Sequence, residues 1–157
     1  MEKIIFERVK KEDSQKVAIL VGELLNEIML VIDEKAFNFD LEETNVRLKH
    51  FIETEKNYVF VAKNIDEIIG FITAYEGFAL YTEGSFGTIA ELYVKPEYRS
   101  KGIGKELIKL LNKFAQTKNW SRLEVTTPPL PLFNKTLEFY QTEGFEISGG
   151  RKLKKLV

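Results

Sequence analysis

Hydrophobic and polar residues follow two different periods over the first third of the chain. A short alternating run at residues 4–9 predicts a strand. From Val17 to Ile28 the apolar residues recur at helical spacing, with Asp13 or Ser14 as the residue that caps the helix. Residues 40–55 repeat the helical pattern more weakly and begin with an Asp and a Glu at the spacing of a capping box. We therefore expect one strand followed by two amphipathic helices.

The middle of the chain is rich in residues that favour strands. Two such runs, Tyr58 to Lys63 and Ile68 to about Tyr81, are joined by Asn64 to Glu67, a segment with the length and chemistry of a hairpin turn. The segment EGSFG at Glu83 to Gly87 turns the chain again, and a further strand is expected from Thr88 to Val94. Consecutive strands joined in this way form an antiparallel meander.

Helices and strands alternate after the meander. The pattern predicts helices from Gly102 to about Thr117 and from about Leu132 to Thr142, with strands at Leu123–Thr126, at Phe145–Ser148 and, as a short basic edge strand, from Arg151. A strand, helix and parallel strand in one sheet require a right-handed crossover. The fold class expected is α/β: a single domain over residues 1–157, in which a mixed, mostly antiparallel sheet of six or seven strands is flanked by about four helices.

The composition excludes several classes of function. The 157 residues are 44% hydrophobic, which suffices for one sizeable core. Lys and Arg number 23 and Asp and Glu 24, so the basic field of a nucleic-acid-binding protein is missing. Because there is no cysteine and only one histidine, His50, we expect no metal site. The chain has neither a signal-like N-terminus nor an apolar run near the roughly 20 residues of a membrane span, so a cytoplasmic protein without a membrane partner is expected.

The segment VKPEYRSKGIGKEL, Val94 to Leu107, has the chemistry of an anion site. Its proline ends the preceding strand, and Gly102 and Gly104 remove side chains where the next helix begins. The first turn of a helix has unpaired N–H donors and the positive end of the helix dipole. Three basic residues add full charges around these donors: Arg99, Lys101 and Lys105. A pyrophosphate would be well satisfied there.

Two common phosphate motifs do not fit this segment. A Walker loop needs Ser or Thr where Glu106 stands, and G-x-G-x-x-G fails at Leu107. What remains is R-x-x-G-x-G, Arg99 to Gly104, directly after a strand that ends in LYV. This motif resembles the acyl-CoA loop of the GNAT superfamily of N-acetyltransferases. AELYV at Ala90–Val94 and EFYQTEGF at Glu138–Phe145 extend the resemblance over roughly the C-terminal two-fifths of the chain.

The resemblance implies where acetyl-CoA would bind. The strand that ends at Val94 would splay from the strand at Leu123–Thr126, and the pantetheine arm would insert into the gap as a pseudo-strand. Backbone groups of Leu92, Tyr93 and Val94 would bond to this arm. The pyrophosphate would lie on the loop formed by Arg99, Ser100, Lys101, Gly102, Ile103, Gly104 and Lys105.

Glu91 is the candidate base. An alkyl ammonium has a pKa near about 10.4, so the acceptor amine must lose a proton before it attacks. Glu91 lies immediately before LYV, where related enzymes often carry an acidic residue, and shares a strand face with Tyr93. The alternative is a surface carboxylate or an ion pair with Lys95. Three residues are held in reserve for the acceptor pocket: Glu76, Tyr75 and Glu83.

Tyr140 in FYQTEGF matches the family tyrosine that approaches the CoA sulfur and protonates the departing thiolate; the alternative is an ordinary core aromatic. Many relatives place a cofactor-contacting asparagine seven residues earlier, but that position is Phe133 here. Asn134, one residue later, is therefore included as a candidate contact. With no cysteine for an acetyl-enzyme, direct attack of the amine in a ternary complex is expected.

The function predicted is thus an acetyl-CoA-dependent N-acetyltransferase without a metal. A small-molecule or peptide amine is the expected acceptor, nucleic acid is not expected as a partner, and a homodimer is allowed. The alternative from another class is a catalytically silent acyl-CoA-binding regulatory module, which would keep the phosphate loop without the proton chemistry. Glu91 and Tyr140 favour the enzyme.

Overall fold

A computed structural model describes residues 3–157, and every strand in them belongs to one sheet. The strands are β1 (Ile4–Arg8), β2 (Tyr58–Asn64), β3 (Glu67–Ala79), β4 (Gly84–Val94) and β5 (Leu123–Val125). Their order in the sheet is β1-β2-β3-β4-β5. Neighbours from β1 to β4 are antiparallel, whereas β4 and β5 are parallel. The meander and the mixed sheet expected from the sequence are confirmed.

Four α-helices accompany the sheet in the described residues, as predicted. They are α1 (Ser14–Ile32), α2 (Leu41–Glu53), α3 (Ile103–Thr117) and α4 (Asn134–Thr142). The capping box before α2 is real in its first half, because the N–H of Glu43 donates to Oδ1 of Asp40 at 2.8 Å. His50 lies on α2 with an exposed side chain.

Helices α1 and α2 cover one face of the sheet and α3 covers the other. Side chains of α1 and α2 form a buried cluster with alternate residues of the strands: Val17, Leu20, Leu48, Val59, Val61, Phe71 and Tyr93. On the opposite face the ring of Phe114 from α3 lies 5.4 Å from that of Phe60 and 4.7 Å from that of Tyr58. The side chains of β2 therefore alternate between two cores, because those at odd-numbered positions face α1 and those at even-numbered positions face α3.

The prediction of six or seven strands is wrong, because five are formed. Neither the strand expected at Phe145–Ser148 nor the basic edge strand from Arg151 is present, and all of residues 146–157 are exposed. The apolar side chains of this tail are too sparse to form a buried face: Ile147 is 70% exposed and Leu153 90%. Two consecutive glycines at positive φ and four nearby cations further disfavour an extended, paired segment.

The chain divides after Val125 into two compact units. The first contains the whole sheet with α1, α2 and α3. The second, Thr126–Val157, contains α4 and the exposed tail. The glycine loop, β4 and β5 all belong to the first unit, and the candidate tyrosine belongs to the second.

Candidate acyl-CoA site

Strand β4 stays beside β5 over only three residue pairs. Residues 87–89 pair with residues 123–125, and within residues 3–157 no strand pairs with β4 on that side beyond this point. The N–H of Lys95 bonds to β3 at 2.9 Å. Because strand groups alternate in direction, the N–H and C=O groups of Leu92 and Val94 point away from β3, toward the side that β5 has left. A gap bordered by backbone polar groups follows from this geometry.

The separation from β5 begins at a β-bulge. Thr73 on β3 lies opposite Glu91, and the next residue, Ala74, lies opposite Ile89, so Ala90 is an extra residue in β4. A bulge bends its strand and increases the local twist. It also changes which side chains share a face, and here it directs Glu91 to the face of Thr73, whereas Ile89 takes the opposite face.

The loop from β4 to α3 exposes a series of backbone donors. Ser100 has φ 63° and Gly102, the N-cap of α3, has φ 81°. The first hydrogen bond of the helix runs from the N–H of Glu106 to the carbonyl of Gly102 at 3.0 Å. Among the described residues no oxygen accepts from the N–H groups of residues 100–105. These donors lie at the positive end of the α3 dipole, which favours an anion.

The guanidinium of Arg99 is already bonded to other groups of the protein. Its Nε donates to the carbonyl of Val94 and its Nη2 to Oε1 of Glu27 on α1, both at 2.8 Å. The guanidinium also lies over the ring of Tyr93, 5.4 Å from the centroid. Arg99 thus ties the end of β4 to α1, while Lys105 forms no ion pair within residues 3–157. A direct contact between Arg99 and pyrophosphate stays a prediction.

Glu91 is partly buried and bonded to one side chain. The Oγ1 hydroxyl of Thr73 donates to Oε1 of Glu91 at 2.5 Å, and the N–H of Glu91 donates to the same Oγ1 at 3.0 Å. Burial raises the pKa of Glu91 above its ordinary value, and the Thr73 hydroxyl opposes that rise. The alternative ion pair with Lys95 is not formed, because Lys95 Nζ pairs with Glu67 at 2.9 Å.

The three residues held in reserve for the acceptor pocket differ in their exposure and in their hydrogen bonds. Glu76 accepts a hydrogen bond from Nε1 of Trp120 at 2.6 Å, so its carboxylate is already bonded to a side chain of the core. Glu83 is exposed in the β3–β4 turn with φ 58°. Tyr75, on the same strand face as Thr73, is 44% exposed. Of these residues, Tyr75 is the one directed to the same face as Glu91.

Tyr140 is the buried centre of an aromatic cluster in the second unit. Its ring contacts Phe139 and Phe145 edge-on, with both centroid distances at 5.4 Å. Burial raises the pKa of Tyr140 well above its ordinary value, so the phenol stays protonated at neutral pH. Asn134 is exposed at the first position of α4, and its N–H donates to the carbonyl of Pro131 at 3.1 Å.

A family model described as the acetyltransferase (GNAT) domain matches residues 55–147, more than half of the chain. The chain belongs to the GNAT acetyltransferase family. The matched region of this GNAT domain contains β2 to β5, the glycine loop, α3 and α4. The resemblance read from the loop and the two flanking motifs is therefore confirmed.

Relatives of this GNAT domain include proteins of several kinds. An uncharacterized N-acetyltransferase from Archaeoglobus fulgidus is 32% identical over 72 residues, which are 45% of this chain and 49% of that protein, so the chain spans about half the length of this curated relative. The crystal structure of an aminoglycoside acetyltransferase from an uncultured soil metagenomic sample, in complex with trehalose, is 26% identical with a TM-score of 0.76, covering 98% of this chain and 97% of that one. A ribosomal-protein-alanine N-acetyltransferase from Brucella melitensis biovar Abortus 2308, 18% identical with a TM-score of 0.73 over 99% and 100% of the two chains, shares the fold.

Residues 3–157 of the GNAT chain contain neither a helix that could span a membrane nor a cluster of metal-ligating side chains. None of the helices there combines the length and apolar character that crossing a membrane requires. No three or more His, Cys, Asp or Glu side chains of these residues are grouped as metal ligands would be.

Sequence reasoning missed three side chains at this site of the GNAT domain. Thr73 bonds to Glu91, Glu27 pairs with Arg99, and Glu23 on α1 accepts from the Tyr93 hydroxyl at 3.1 Å. Burial, aided by Glu23, raises the pKa of Tyr93 to about 12, which keeps this hydroxyl a donor. Only Thr73 left a sequence signal, as a lone polar residue within the apolar run IIGFITAY.

Proposed function

We propose that this GNAT domain transfers the acetyl group of acetyl-CoA to a primary amine, which attacks directly within a ternary complex. One observation carries the proposal: β4 leaves β5 after Ile89, a few residues before a loop whose N–H donors lack acceptors among the described residues. The edge at Leu92 and Val94 is half-buried, and a backbone group that is removed from water without a partner costs on the order of 1–3 kcal/mol. An extended ligand with amides at one end and phosphates at the other suits both features.

The residues present fit acetyl-CoA. The outward backbone groups of Leu92 and Val94 would bond to the amides of the pantetheine arm, as an added strand would. One of these groups, the Val94 carbonyl, already accepts from Arg99, so the two N–H groups and the Leu92 carbonyl are left for a ligand. The N–H groups of residues 100–105 and the ammonium of Lys105 would hold the pyrophosphate. When bound, acetyl-CoA would supply an activated acyl thioester.

Glu91 would take the proton from the acceptor ammonium. Its raised pKa brings it nearer to neutral pH, which makes it a better base than an exposed carboxylate while it is still ionised. Its second oxygen, Oε2, accepts no hydrogen bond from the described residues and is therefore available. Because the chain has no cysteine, no acetyl-cysteine can form, and we propose that the amine attacks the thioester directly.

Tyr140→Phe should lower kcat about tenfold and leave the affinity for acetyl-CoA within about twofold. The CoA thiol has a pKa near about 8.5, whereas the pKa of Tyr140 is raised. The phenol therefore stabilises the departing thiolate by donating a hydrogen bond, without giving up its proton completely. Steady-state kinetics and isothermal titration calorimetry measure the two quantities. Phe139→Leu, which removes the edge contact without touching the hydroxyl, is the control for packing. Unchanged kcat in Tyr140→Phe would remove this residue from the mechanism.

For the acceptor we propose a small-molecule amine, with aminoglycosides as the first class to examine and peptide amines as the second. The support is the likeness to the soil aminoglycoside acetyltransferase, which also has a structure in complex with sisomicin at 25% identity and a TM-score of 0.75. The exposed aromatic side chain of Tyr75, which lies on the same strand face as Glu91, offers apolar surface beside such a ligand.

Thiol release from acetyl-CoA, followed with aminoglycosides, polyamines, amino acids and peptides, tests the proposal. Acceleration by one class of amine above the rate of hydrolysis is the expected result, with a mass increase of one acetyl group on that amine. Calorimetry with CoA, run beside the assay, separates the enzyme from its rival. Tight CoA binding without turnover on any amine, unaffected by Glu91→Gln, would identify a silent acyl-CoA-binding module instead.

A further inference from the structure

We propose that Thr73 is a positioning residue, which holds the carboxylate of Glu91 in one orientation and leaves Oε2 to receive the proton of the acceptor. The inference rests on the proposed function, since it assigns Thr73 a part in the same proton transfer. Thr73 contacts neither acetyl-CoA nor acceptor in this account, and it acts only through Glu91.

Two hydrogen bonds between the same pair of residues fix the geometry. Thr73 is 2% exposed and lies directly opposite Glu91 in the β3–β4 pairing. Because Oγ1 accepts from the N–H of Glu91, the hydroxyl hydrogen is left to point at Oε1 of the same residue. The distance of 2.5 Å lies at the short end of the range for a hydroxyl that donates to a carboxylate. Oγ1 of Thr73 thus bonds to both the backbone N–H and the side-chain carboxylate of Glu91.

The arrangement lies at the bulge in β4. The extra residue, Ala90, interrupts the regular pairing of β3 and β4, and the N–H of Glu91, the next residue, bonds to the side chain of Thr73. Thr73 therefore holds the backbone of Glu91 beside the bulge and also orients its carboxylate. A valine at this position has nearly the same shape but can do neither, whereas a serine can do both.

No other described side chain bonds to the Glu91 carboxylate. The titratable and charged groups on its face are Tyr93 on β4, Tyr75 on β3, Glu23 and Glu27 on α1, and Arg99, which lies over the Tyr93 ring and pairs with Glu27. Tyr93 and Glu23 bond to each other at 3.1 Å, and Tyr75 forms no hydrogen bond with Glu91. Neutral Thr73 therefore dominates the local interactions of Glu91, and its hydroxyl lowers the pKa that burial raises.

The test compares Thr73→Val and Thr73→Ser with the unaltered protein. The carboxyl carbon of Glu91 is titrated by NMR without any substrate, and the pH profile of kcat/KM is measured with the best acceptor. In Thr73→Val we expect the Glu91 titration and the acidic limb of the rate profile to move together to higher pH, by about one unit. The rate constant in the acidic limb then falls about tenfold and recovers at higher pH. Thr73→Ser should restore both curves.

Thr82→Val is the matched control for loss of a buried threonine hydroxyl. Thr82 is 5% exposed, and its hydroxyl bonds among the described residues only to the carbonyls of Ala79 and Gly84, which flank the β3–β4 turn, so its loss should lower the melting temperature without moving either curve. An unmoved Glu91 titration in folded Thr73→Val would overturn the positioning role, whatever the activity. A titration that moves while the rate profile stays fixed would instead remove Glu91 from the proposed mechanism, and the positioning role with it. If Thr73→Val fails to fold, Thr73→Ser and Thr73→Cys replace it, because a serine hydroxyl is a stronger hydrogen-bond donor than a cysteine thiol. Equal titrations of Glu91 in these two variants would count against the inference.

Discussion

Replacing Glu91 by glutamine is expected to lower kcat/KM at neutral pH by about 100-fold or more. Glutamine keeps the size of the side chain and can still bond to Thr73, but it cannot accept the proton of the ammonium. Because the free amine becomes abundant as the pH approaches its pKa of about 10.4, the deficit should narrow at alkaline pH. A pH series of initial rates measures both effects, and the acidic limb that reports Glu91 should vanish in the variant.

The binding of acetyl-CoA should survive this substitution. Glu67→Gln is the matched control, since Glu67 is a carboxylate on β3 that pairs with Lys95 at 2.9 Å and lies in no candidate role. We expect its rates to stay within about twofold of the unaltered protein. If Glu91→Gln retained full turnover at neutral pH, or lost acetyl-CoA affinity in step with turnover, Glu91 would not be the base.

The second large effect is expected from Gly102→Val, which should weaken acetyl-CoA binding by about 100-fold or more. Gly102 has φ 81°, a region that β-branched residues avoid, so the substitution shifts the N–H groups that follow. No atom lies within 4 Å of the added Cβ, so the protein itself tolerates the volume. The new side chain would occupy open space at the N-cap of α3, the position at which we propose that the phosphates bind.

Gly84→Val separates strain from loss of the anion site. Gly84 also has positive φ, 137°, and open space around its Cβ, but it is the first residue of β4, far along the strand from the glycine loop. Both variants should lower the melting temperature, and only Gly102→Val should lower the affinity measured by calorimetry. Equal affinities in the two variants would show that the loop does not hold the phosphates.

The parts of the fold that the sequence predicted correctly depend on local patterns. The helical stripe of α3 and the capping box before α2 are formed by residues within a few positions of one another. The tail shows the limit of such reasoning. Phe145–Ser148 has the composition of a strand, yet a strand also needs a neighbour with free backbone groups, and no local pattern reports whether one is present.

The candidate site divides in the same way. The glycine loop could be predicted because its donors, glycines and cations are consecutive. The partners that give Glu91 and Arg99 their orientation lie 18 and 72 residues away in the chain, at Thr73 and Glu27. The bulge at Ala90 is a property of the pairing between two strands and cannot be recognised from the sequence of either strand alone.

Residue-resolved amide hydrogen exchange, with and without CoA, tests most directly whether the gap and the loop are one acyl-CoA site. With CoA bound, the N–H groups of Leu92, Val94 and residues 100–105 should exchange at least about tenfold more slowly. Amides of α2, which packs against α1 and β2 and away from β4, should be unaffected in comparison. CoA that binds by calorimetry while these β4 and loop amides exchange at unchanged rates would contradict the account.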